Sequence, residues 1–204
     1  MNLLLETGLP EELGGVAIYP DFRNMIRFEL ALRDESLTDW QKLSVGLSQL
    51  FEELPGDSAQ ALQLLLWFYF RGQPPEEKEG GIPAPAERAF DFEQDAGRIY
   101  AAFLQAYGMD LVRVEYLHWW AFLALLENLP EETAMGQVMA WRTMELNGIQ
   151  DKRQRAHYAA LKARYALKTP CGAAAPVSAD EAARRRREQV AHRFRQAQEH
   201  TAGR

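Results

Sequence analysis

The sequence holds one cysteine, Cys171, set among glycine and alanine beside a proline, so neither an intrachain disulfide nor a thiolate metal cluster can form within it. Such usage fits a reducing compartment. The four histidines, His118, His157, His192 and His200, include no i, i+4 pair with the flanking carboxylate of a zinc-binding helix. No G-x-x-x-x-G-K-[ST], G-x-G-x-x-G or G-x-S-x-G motif occurs, and the two glycine pairs lie in turns rather than between a strand and a helix. Neither a phosphate cradle nor a serine nucleophile can be read from the chain, and the expectation is a protein that is not an enzyme and needs no cofactor or metal. Long hydrophobic runs are also missing: the stretch that is apolar at every position, Trp119 to Leu126, is far shorter than the roughly 20 residues a bilayer crossing requires. The start, MNLLLETGLPEELGG, has no basic segment and loses its apolar run at Glu6. This predicts no secretory signal and a cytoplasmic protein without membrane partners.

What is present is one domain's worth of ordinary globular sequence: 204 residues, 47% hydrophobic and 25% charged. Charge is unevenly spread. Residues 1–168 hold 16 Lys and Arg against 25 Asp and Glu, whereas residues 169–204 hold seven against four. An acidic body repels phosphate and argues against nucleic acid as a partner. The basic run Arg184 to Arg187 could meet nucleic acid or an acidic surface, but Glu181 and Glu188 flank it and aromatic residues are nearly absent there. A solvated tail is the simpler reading.

The stretch from Asp91 to Leu129 organises the chain. Ile99, Tyr100, Phe103, Leu104 and Tyr107 line one helical face, and Gly108 stops that helix. The following run, uncharged from Tyr116 to Leu126, predicts a core helix covered on nearly all sides. Upstream, Leu3–Leu5 and Val16–Tyr19, divided by Gly8, Pro10 and Gly14-Gly15, suit two short strands or an extended arm. Asp21 caps a helix carrying Phe22, Met25, Ile26 and Leu30 to near Asp34. A second stripe runs through Trp40, Leu43, Leu47, Leu50 and Leu54, ended by Pro55-Gly56. Asp57 with Gln60 opens a helix closing on Leu64 to Phe70. Residues 71–88, rich in proline and glycine, read as a mobile surface loop. Thr133 caps a helix with Met135, Val138, Met139 and Arg142 on one side, to Leu146. Asp151 opens a last core helix with Tyr158, Leu161 and Tyr165 inward and Lys152, Arg153, Arg155, Lys162, Arg164 and Lys168 outward. The fold class expected is all-α: one helical domain over 1–168 with six to seven helices and a short extended or two-strand N-terminal arm. Residues 169–204 then form a small-residue linker and a separate, exposed basic helical tail.

Three features could carry function. Asp91, Glu93 and Asp95 could hold a cation or act as acid and base, although a negative first helical turn complementing the helix dipole explains them more simply. Adjacent helical residues point about 100° apart, so Trp119 and Trp120 cannot share a face and one indole is expected near a boundary. Core packing is the plain reading of His118-Trp119-Trp120; the alternative is an aromatic partner-binding patch containing His118 and Trp119. Arg142, embedded among apolar residues, is a further partner-binding candidate, or else one half of an internal ion pair.

Taken together, Asp21-Phe22-Arg23, Trp67-Phe68-Tyr69, Phe90 to Asp95, Ile99 to Phe103, Tyr107 to Leu111, Leu117 to Phe122, Arg142 and Lys162 to Leu167 resemble the phage "gene product fifteen" family over about 3–168. The resemblance implies a small, mostly helical protein from the tail-morphogenesis region of long-tailed phages. It further implies a tail-assembly role, with chaperoning of the tape-measure protein in the host cytoplasm foremost and a structural subunit retained in the virion tail as the alternative. It supplies no catalytic residues and leaves self-association open. The tail 169–204 lies outside it.

Overall fold

The computed structural model describes residues 8–72 and 88–168. Seven helices and one two-strand hairpin form among the described residues, so the fold is all-α with an N-terminal arm. The chain divides into two compact units, the first built from residues 8–72 with Tyr116–Leu123, the second from 88–115 with 124–168. The expected loop over 71–88 lies almost wholly, and the tail over 169–204 entirely, outside the described residues.

In the first unit the arm is a hairpin of β1 (Glu12–Leu13) and β2 (Val16–Ala17), antiparallel with Leu13 opposite Val16. Gly14 and Gly15 turn it with φ of 60° and 80°, the left-handed pair a two-residue hairpin demands. Val16–Ala17 therefore pairs with Glu12–Leu13; Leu3–Leu5, the first strand expected, lies outside the described residues. Helix α1 (Phe22–Arg33) starts at Asp21, whose carboxylate accepts the Arg23 N–H, and ends at Asp34. Its buried face is Phe22, Met25, Phe28 and Ala31.

Helix α2 (Asp39–Leu50) begins with a capping box in which Thr38 and Gln41 bond reciprocally. Its inner face is Lys42, Gly46, Leu47 and Leu50, a rotation from the stripe expected: Trp40 and Leu54 are half exposed and Leu43 only partly covered. Gly46 explains the rotation. A Cβ there would lie 2.6 Å from a Phe28 ring carbon and 2.7 Å from Leu65 Cδ2, so only glycine lets α1 and α3 approach this closely. Helix α3 (Ser58–Tyr69) opens at Asp57, which accepts the Gln60 N–H, and buries Ala61, Leu62, Leu65 and Phe68.

In the second unit, α4 (Ala96–Tyr107) buries Ile99, Ala102 and Phe103 while Leu104 is half exposed. Gly108 ends it with φ of 63°, and its N–H returns to the Phe103 and Leu104 carbonyls. Helix α5 (Trp119–Glu127) gives its first five residues to the first unit and its last four to the second. Trp119, Trp120, Phe122, Leu123 and Leu126 are buried and every other residue except Glu127 is at least half covered, as its uncharged run predicts. Helix α6 (Ala134–Thr143) is capped by Thr133 and stops short of Leu146, with Met135, Gly136, Val138 and Arg142 buried.

Helix α7 (Lys152–Tyr165) starts at Asp151 as expected, but none of its residues is buried. It is not a core helix. Tyr158, Leu161 and Tyr165 are only partly covered because small and charged residues surround them, leaving no continuous apolar stripe to sink. Among the described residues no helix is long and apolar enough to cross a membrane.

Candidate functional site

The chain places its most unusual side chains in two buried polar nodes, one in each unit. The first is built on His118, Trp119 and Trp120. The segment entering α5 pairs antiparallel with the segment entering α1: Asp21 bridges His118, the Phe22 N–H donates to the Leu117 carbonyl at 2.9 Å, and the Trp119 N–H donates to the Pro20 carbonyl at 2.8 Å. The beginnings of two helices are thus joined through their backbones.

His118 closes this junction. The Trp120 backbone N–H donates to His118 Nδ1 at 3.0 Å, so the ring is the N-cap of α5 and satisfies a donor that a helix start leaves unpaired. Since Nδ1 accepts, Nε2 carries the proton and donates to the Pro10 carbonyl at 3.2 Å. The imidazole is neutral, and burial holds its pKa below the usual histidine value against the opposing pull of the Pro10 bond and of the Glu11 charge.

The two indoles cap the other end of a helix. Trp120 Nε1 donates to the Phe68 carbonyl at 2.7 Å, which also takes the Arg71 N–H at 3.1 Å, and Trp119 Nε1 donates to the Tyr69 carbonyl at 3.2 Å, both among the last carbonyls of α3. Both rings are buried, at 1% and 2% exposure, which corrects the expectation that one lies at a boundary. Adjacent residues do point apart, but α3 supplies neighbouring acceptors on both sides. Trp120 packs on Trp67 and Phe68, and Trp119 stacks on Tyr69 and Phe122.

The second node centres on Asp95 and Arg142. Arg142 forks onto the carboxylate, NH1 to Oδ2 at 2.6 Å and NH2 to Oδ1 at 3.1 Å. Two further donors reach the Tyr165 carbonyl from Nε at 2.6 Å and the Ala89 carbonyl from NH1 at 3.0 Å. Asp95 accepts Arg98 on Oδ1 and the Asp91 N–H on Oδ2, so each oxygen takes two bonds. Asp91 accepts the N–H groups of Glu93 and Gln94 and the Arg88 guanidinium. The internal-pair reading of Arg142 is the one observed.

The acidic triplet is also corrected. Asp95 makes no cap bond to α4, whose first turn carries no acid, and Glu93 is exposed. The two buried carboxylates are spent on arginines and backbone donors, and no cluster of three metal-ligating side chains forms among the described residues. His118 and Trp119 sit in the first unit and Arg142 in the second, and all three are buried.

Sequence reasoning missed the side chains that are presented. Trp40, Trp67 and Phe70 are 50%, 39% and 38% exposed in the first unit. Their signal was placement at helix ends, Trp40 beside the capping box of α2, Trp67 in the last turn of α3 and Phe70 just after it. The family model described as Bacteriophage Gp15 protein matches residues 14–167. No curated protein and no solved structure matches the chain.

Proposed function

The chain belongs to the bacteriophage Gp15 protein family, and from that premise we propose that it serves phage tail assembly as a chaperone, binding the tape-measure protein until the tube encloses it. The observation that carries this reading is the set of large aromatic side chains, Trp40, Trp67 and Phe70, left exposed on a unit whose other bulky rings are mostly inside. Aromatic residues of this kind anchor protein contacts, and an amphipathic helix of a long helical partner is the matching shape. Trp67 is held from behind: its ring lies against Trp120, and Gly72 packs close under its indole. A held ring loses little rotamer freedom on binding. Within the first unit the buried His118 and Trp119 would then act indirectly, by fixing the end of α3 that carries Trp67 and Phe70.

Co-expression with the tape-measure protein tests the reading. The soluble fraction of the tape measure should rise with this chain present and fall back with a Trp40→Ser, Trp67→Ser, Phe70→Ser variant that still folds. If solubility is unchanged and the protein is instead found by mass spectrometry in purified virions, the chaperone role is wrong and a structural subunit of the tail replaces it.

A further inference from the structure

A second surface of the first unit combines apolar rings with carboxylates. The bridge between Ile18 and Phe51 brings the arm beside the segment that follows α2, and the Tyr19 N–H donates to the Leu50 carbonyl at 2.8 Å. Pro55 lies under the hairpin turn, close to Gly14. Around this junction Tyr19, Leu54 and Tyr116 are 45%, 53% and 50% exposed, while Glu11, Glu12, Glu52 and Glu53 are all exposed. The Tyr19 hydroxyl is held above its usual pKa, first by hydrogen bonding to Glu52, and that of Tyr116 by burial and then by the Glu11 and Asp21 charges.

We infer that this surface docks the chain's own basic segment around Arg184–Arg187, with Val190 and Phe194 set on the exposed rings. Charge complementarity selects that occupant: four consecutive arginines meet four carboxylates, and guanidinium groups both pair with carboxylates and stack on tyrosine rings. The spacing of Arg186, Val190 and Phe194, four residues apart, puts one cation and two apolar side chains on one face if the segment is helical. The fifteen residues between Lys168 and Arg184 span up to about 50 Å when extended. The contact is independent of the chaperone reading, since it uses other residues than Trp40, Trp67 and Phe70.

Paramagnetic broadening in the full-length chain tests it. With Cys171→Ser and Gln189→Cys carrying a nitroxide, the amide signals of residues 17–19, 52–54 and 116 should lose more than half their intensity and regain it in 0.5 M salt. The double variant Glu52→Lys, Glu53→Lys should abolish the broadening, and reversing Arg184 to Arg187 to glutamate in that background should restore it. The spectra themselves report whether each variant is folded. Broadening that appears only when labelled chains are mixed with unlabelled isotope-enriched ones means the occupant is a second copy, and no broadening at all means the surface is not covered by this segment; either result overturns the inference.

Discussion

Arg142 and Asp95, 47 residues apart in sequence, meet as a two-point ion pair with both side chains buried. Because the pair shares its site with the Ala89 and Tyr165 carbonyls, it ties the approach to α4, the end of α6 and the end of α7 to one guanidinium. Removing one partner leaves the other buried with only part of its bonds, Asp95 keeping Arg98 and the Asp91 N–H, and Arg142 keeping the two carbonyls. Asp95→Leu and Arg142→Met should each cost about 3–5 kcal/mol in urea unfolding, whereas the two combined should cost less than the single losses added. Additive losses would show that the pair is not coupled. Arg142→Lys should rescue poorly, since an ammonium cannot fork.

The two indoles predict similar penalties. Trp119→Ala and Trp120→Ala should each destabilise by about 3–5 kcal/mol, because both rings are buried and both N–H groups satisfy α3 carbonyls. Phenylalanine at either position keeps most of the volume and isolates the lost bond, expected near 1 kcal/mol. A small loss at Trp119 alone would place that ring at a boundary after all.

Acidification should loosen the junction of α1 and α5. The folded pKa of His118 lies below the unfolded value, so its contribution is complete above about pH 6.5 and is lost as pH falls through the folded pKa. The cause is a proton on Nδ1, where the Trp120 N–H now donates, which Glu11 alone among the named charges would favour. Thermal midpoints measured between pH 7.5 and 5 should drop in the wild type and much less in His118→Asn, whose amide oxygen can accept the same N–H without titrating. Equal drops in both would assign the effect elsewhere.

Gly46→Ala should be costly although alanine favours helices. The added carbon would press on Phe28 and Leu65 at 2.6–2.7 Å, an overpacking expected to lose about 1–3 kcal/mol. An unchanged midpoint would mean α2 can shift away freely.

Helix starts were legible wherever the signal is chemical and local. Asp21, Asp57, Thr133 and Asp151 each accept a backbone N–H at the position expected, and Gly108 ends α4 in the left-handed conformation. The faces of helices were less so. Lys42 and Gly46 replaced Trp40 and Leu43 on the inside of α2 because the approach of α1 and α3, invisible along the chain, decides which side sinks. The imidazole cap of α5 escaped notice because histidine is not a usual capping residue. Arg142 and Asp95 were each singled out, but nothing in sequence spacing links residues that far apart.

Helix α7 buries no side chain, yet it is tethered at its end by the Arg142 bond to Tyr165, the Lys162 bond to the Met144 carbonyl and the two bonds between Gln94 and Lys168. A helix held by a few polar ties and little apolar area opens at a free energy well below that of global unfolding. Its amides should therefore exchange with deuterium ahead of those in α5. Low exchange protection over 152–165 beside high protection over 119–126 would make α7 a unit that opens on its own, its cations carried with it.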